Sequence, residues 1–78
     1  MTESHPESLL DVSGLLCPLP VLKARKRLST MNAGDILVVI ATDPMAAIDI
    51  PHFCNEQSHE LVEQSISGEE YRFKIRKS

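Results

Sequence analysis

The chain has 78 residues, 42% of them hydrophobic and 24% charged, with a formal net charge of −3. That balance argues against disorder, and so short a chain builds one small core, which excludes a two-domain enzyme and leaves no depth for an enclosed cofactor pocket. The longest apolar run, residues 36–41, falls far short of the ~20 residues that cross a bilayer. No signal-peptide pattern is present, and two cysteines are too few for a multi-bridge secreted scaffold, so a cytoplasmic chain without a membrane span is expected.

Residues 1–8 lack apolar periodicity and read as a flexible N-terminus ahead of a single domain over 9–78. Residues 9–13 alternate, Leu10 and Val12 against Asp11 and Ser13, and stop at Gly14, which predicts a first strand. Val21, Ala24, Leu28 and Met31 then recur at helical spacing, predicting an amphipathic helix that ends near residues 32–34. Residues 35–42 hold the β-branched run and predict a strand covered on both faces or central in a sheet. Asp43 before Pro44 is a helix start, an N-cap followed by proline at the first helical position. The second helix is predicted through about residue 55 with Ala46, Ala47, Ile50, Phe53 and Cys54 on one face, kinked or divided at Pro51. Residues 60–67 and 71–77 flank the turn Ser67-Gly68-Glu69-Glu70 and predict a closing hairpin. The order strand, helix, strand, helix, strand, strand gives an α/β (α+β) two-layer fold. A four-stranded mixed sheet carries two helices on one face and leaves the other face relatively polar or open to a partner.

Charge is unevenly placed. All eight basic residues fall in two blocks, Lys23, Arg25, Lys26, Arg27 and Arg72, Lys74, Arg76, Lys77, and no acid lies between Asp11 and Asp35. Cys17 sits just before Pro18 at the first helix start, where unpaired N–H groups and the helix dipole favour an anion and are expected to lower a thiol pKa. Pro18 and Pro20 fix the first turn and remove two donors, leaving the Leu19 and Val21 amides to face the sulfur. Leu15, Leu16 and Leu19 limit its hydration. The basic block further along this helix adds a field that attracts an acidic partner. A small cysteine at a tight turn is as ordinary as a reactive one, so both readings of Cys17 stay open. Cys54 shares a helical face with Ile50 and Phe53 and reads as core. His52 with Cys54 is too little for a metal site, no stacking motif for nucleic acid is present, and the hairpin's basic residues serve equally to guard a sheet edge. Neither His5, His52 nor His59 is near Cys17 in sequence.

Three segments carry a family resemblance: residues 10–20, which hold Cys17-Pro18-Leu19-Pro20; Thr42-Asp43-Pro44; and Asp49-Ile50-Pro51-His52-Phe53-Cys54 leading into His59-Glu60-Leu61. In these the chain resembles the TusA, or SirA-like, family of small sulfur carriers with a Cys-Pro-x-Pro signature. The resemblance implies a two-layer βαβαββ sandwich and a sulfane sulfur carried as a persulfide on Cys17, with Pro18, Leu19, Pro20 and Val21 in support and Lys23, Arg25, Lys26 and Arg27 meeting partners. It implies a cysteine desulfurase or rhodanese as donor and a DsrE-like, TusD-type relay protein as acceptor. No cofactor beyond that covalent sulfur, no metal, no direct nucleic-acid contact, no membrane and a monomer are expected. The hairpin and the end Tyr71-Arg72-Phe73-Lys74-Ile75-Arg76-Lys77 look most like the branch serving 2-thiouridine formation in tRNA. Other branches serve dissimilatory sulfur oxidation or molybdenum cofactor synthesis. Ile48 stands where the tRNA branch has a basic residue. Outside the resemblance, two readings compete: a non-enzymatic regulatory or interaction module with a structural Cys17, and a redox switch pairing Cys17 with Cys54.

Overall fold

A computed structural model describes residues 7–78. The order is β1 (Glu7–Asp11), α1 (Leu19–Leu28), β2 (Ile36–Ala41), α2 (Ala46–Glu56), β3 (Glu60–Ser67) and β4 (Glu70–Arg76). Six of the residues read as a flexible N-terminus, including His5, lie outside the described range. Glu7 and Ser8 do not belong to such a terminus, because β1 starts at Glu7. The reason is pairing rather than pattern: Glu7 and Ser8 lie in register with Ile36 and Leu37 of β2, so an internal partner strand extends β1 past its apolar alternation.

The sheet order is β1-β2-β4-β3, with β1 and β2 parallel and the other pairs antiparallel. This is the expected four-stranded mixed sheet and two-helix α+β architecture. The parallel pair needs a crossover, which α1 supplies. Leu37, Val39 and Ala41 point from β2 into the core with Phe73 and Ile75 of β4, meeting Ala24 and Leu28 of α1 and Ala46, Ile50, Phe53 and Cys54 of α2. On the opposite face of β2, Val38 and Ile40 are also buried. Val38 lies in a shallow groove with Glu7, Glu63, Ser65, Arg72 and Lys74, whose long side chains cover apolar surface while their heads stay wet. The unbroken apolar run of β2 thus reflects a strand covered by helices on one side and by charged stems on the other.

Three features of the helices differ from expectation, each for a physical reason. The α-helical part of α1 ends at Leu28, where Lys77 Nζ donates to the Leu28 carbonyl at 2.8 Å; Met31 keeps its apolar contact from a turn. Asp43 caps a tight lead-in before α2, because the Ala46, Ala47 and Ile48 amides bond three residues back. Pro51 lies inside an undivided α2. It removes one hydrogen bond, and the buried Ile50, Phe53 and Cys54 beside it anchor the helix.

Phe73 is the largest fully buried side chain. Truncation to Ala removes about 3–5 kcal/mol from a total of roughly 4–12 kcal/mol for a chain of this length. Phe73→Ala is therefore expected to lower Tm by at least about 12 °C in a circular-dichroism melt. A loss below about 5 °C would place the core's centre elsewhere.

Candidate functional site

The β1–α1 loop is held in place by the loop that leads from β2 to α2. Gly14 donates its N–H to Thr42 Oγ1 at 2.8 Å, and Cys17 donates its N–H to Asp43 Oδ2 at 2.7 Å. The other Asp43 oxygen accepts the Met45 N–H at 3.1 Å. Asp43 is only 9% exposed, and with both oxygens engaged it joins the cysteine backbone to the start of α2. Gly14 has φ +82° with open space where a side chain would stand, so glycine is required by backbone conformation rather than by room.

Cys17 is exposed and follows directly on this stitched loop, with Pro18 at the N-cap of α1 and Pro20 buried behind it. The Cys17–Pro18 peptide is cis. Leu16 and Leu19, its near neighbours in the chain, are exposed, and the sulfur is open to a partner. Between α1 and α2 runs an open groove of about 280 Å³ lined in part by Cys17, Pro18 and Val21 and by the polar Arg25, Asp49, His52 and Glu56. His52 Nε2 lies 3.5 Å from Glu56 Oε2.

The electrostatics of the sulfur run against expectation. The helix start does not produce a lowered thiol pKa: Asp49 accepts the S–H, partial desolvation disfavours the anion, and the Asp49 and Asp43 charges repel a thiolate, so the Cys17 pKa is raised. The Leu19 amide does not face the sulfur either, since it donates to the Leu16 carbonyl at 2.8 Å. Val21 is half-buried and lies along the groove. Cys54 is buried among Ile50, Phe53 and the rest of the core, and burial pushes its thiol up to about 11. The chain therefore has one exposed thiol, Cys17, and one buried and inert, Cys54.

The family profile described as Sulfurtransferase TusA matches residues 8–77. The chain belongs to the TusA sulfurtransferase family. A SirA-like protein from Desulfitobacterium hafniense has a similar solved structure, with a TM-score of 0.79 at 20% identity over 88% of this chain and 95% of that one. At that identity the likeness is one of fold.

Within this TusA-family domain the basic block of α1 divides between two surfaces. Arg25 reaches the groove that Cys17 opens, whereas Lys23, Lys26 and Arg27 line a separate shallow surface with Leu10 and Thr30. Helical geometry separates them, since Lys26 and Arg27 lie three and four residues after Lys23 and share with it a face that Arg25 does not. The sequence pattern gives Asp49 and Glu56 no role at the site, and gives Asp43 the role of a helix cap, although Asp43 and Asp49 both lie in segments that carry the family resemblance. Their signal is faint: Asp49, His52 and Glu56 recur at three and four residues along α2, a stripe that gains meaning only once that helix is known to lie beside α1. His59 stands apart, its ring 5.7 Å from that of Phe53 and its Nδ1 accepting the Ser78 N–H at 3.1 Å. Among the described residues no cluster of three or more His, Cys, Asp or Glu could hold a metal ion, and no helix is long and apolar enough to cross a membrane.

Proposed function

We propose that this chain carries sulfane sulfur as a persulfide on Cys17 and passes it to an acceptor protein, in service of 2-thiouridine formation in tRNA. The carrying observation is an exposed Cys17 at the head of α1 in a TusA-family domain whose other cysteine is buried. The Cys17 sulfur attacks the outer sulfur of a donor persulfide, and the donor's inner sulfur leaves as a thiol. An acceptor thiol then repeats the exchange on the Cys17 persulfide. Neither step needs an enclosed pocket, a metal or a cofactor, so one reachable sulfur on a rigid loop suffices.

The donor is a cysteine desulfurase or rhodanese, and the acceptor a DsrE-like, TusD-type relay protein, both acting on a cytoplasmic monomer. Lys23, Lys26 and Arg27 form the face that an acidic partner surface approaches, leaving nucleic acid to later enzymes of the pathway. The Tyr71 to Lys77 ending supports the tRNA branch over sulfur oxidation and molybdenum cofactor synthesis. In a deletion strain, tRNA 2-thiouridine measured by nucleoside mass spectrometry is expected to fall at least about tenfold, to be restored by the wild-type chain and not by Cys17→Ser. Unchanged 2-thiouridine with lost sulfur oxidation or lost molybdoenzyme activity would overturn the tRNA assignment.

A further inference from the structure

The groove sets a carboxylate against the exposed thiol from a helix remote in sequence. Asp49 stands in the first turn of α2, half-buried on the same groove as Cys17, where its carboxylate raises the Cys17 pKa. Both members of this pair are fixed to one short piece of chain: the Asp49 N–H donates to the Met45 carbonyl at 2.8 Å, and Asp43 holds the Cys17 N–H. A carboxylate in the first turn of a helix is favoured by the dipole alone, but the dipole does not require it to meet a sulfur. The titratable and charged groups on the Cys17 side are Arg25 from α1, Asp49, His52 and Glu56 from α2, and Asp43 from the preceding loop. Arg25 has no ion-pair partner among the described residues, and His52 is turned to Glu56. The charges that act on the sulfur are those of Asp49 and Asp43, both negative.

We propose that Asp49 is a selecting residue, which shares the groove with the Cys17 sulfur and favours donors that carry a cation beside their reactive sulfur. The identity of those donors rests on the persulfide-carrier reading; the selection itself does not. In uptake, Cys17–SH and R–S–SH give Cys17–S–SH and R–SH: a bond forms from the Cys17 sulfur to the outer sulfur, the donor's S–S bond breaks, and the Cys17 proton ends on the leaving sulfur. No outside oxidant or reductant is consumed. A donor cation pairing with Asp49 relieves the repulsion on the thiolate as it forms. Between encounters the sulfur rests as the thiol, which oxidises more slowly than the thiolate.

The purified full chain tests this without any persulfide. Cys17–SH reacts with a symmetric disulfide R–S–S–R to give Cys17–S–S–R and R–SH. Rates are compared for cystamine, which carries ammonium groups, and for neutral 2-hydroxyethyl disulfide, with N-acetylcysteine as the reference thiol and peptide mass mapping to locate the product. The cystamine preference of wild type is expected to exceed that of the reference by about fivefold, the size of one close charge pair in a largely aqueous setting. Asp49→Asn should bring it within about twofold of the reference, while Asp49→Glu retains it. In the same variant the pH midpoint for Cys17 alkylation by iodoacetamide should move down. Each unit of fall raises the rate at pH 7 about threefold, because a tenfold gain in thiolate is offset by roughly threefold lower nucleophilicity. Matching thermal melts confirm that the folds are intact. Wild type and Asp49→Asn sharing one preference and one midpoint would overturn the proposal. Failure of persulfide loading with these shifts present would leave it standing and remove the carrier reading instead.

Discussion

Asp43→Ala is expected to destabilise the fold by about 2–4 kcal/mol and to lower Tm by at least about 8 °C. The carboxylate is nearly buried and accepts the backbone amides of Cys17 and Met45. Each hydrogen bond to a charged acceptor contributes about 1.5–3 kcal/mol, less where the freed amide reaches water, as that of Cys17 does in part. The damage is expected to concentrate at the site, because the same substitution releases the loop that places the sulfur. Amide hydrogen exchange of residues 13–17 should quicken by more than that of β2 or β4. Asp43→Asn keeps one oxygen acceptor and should fall between wild type and Ala. A melt within about 2 °C of wild type would show that the stitch between the two loops does not hold the site.

Cys17→Ser is expected to have the opposite profile. The side chain is exposed and outside the core cluster, so stability should stay within about 0.5 kcal/mol of wild type. Sulfur transfer from donor to acceptor should nevertheless fall to background, because a hydroxyl neither attacks a persulfide nor holds a sulfane sulfur. Transfer is followed with labelled sulfur at saturating donor. A variant that folds normally and transfers nothing places Cys17 in the chemistry; a variant that retains transfer places it in the scaffold. Cys54 is no reserve nucleophile, since burial holds its proton on and its sulfur out of reach.

How much of this was legible in the sequence depends on the distance over which each feature is determined. The β2 run and the alternation of Tyr71, Phe73 and Ile75 state their own burial, and the element order fixes a parallel pair with a crossover. Glu7 and Ser8 carry no apolar pattern, and only their register against Ile36 and Leu37 shows them to be strand. Pro51 breaks a local rule that the core contacts of Ile50 and Phe53 override. At the site, Cys17 and its prolines are a local motif, so the sulfur was readable. Its electrostatics were not: helix position predicted a stabilised thiolate, and the decisive neighbour, Asp49, comes from the other helix. Which side of α2 faces α1 is a tertiary fact. The same holds for Arg25, which joins the groove while its basic neighbours turn to another face.

The most direct measurement is the mass of the chain after incubation with a cysteine desulfurase and cysteine, followed by mapping without reductant. A gain of about 32 Da, one sulfur, is predicted on the peptide containing Cys17, reversed by a reducing thiol and absent from Cys17→Ser. Added sulfur on the Cys54 peptide, or none anywhere from either desulfurase or rhodanese donors, would contradict it.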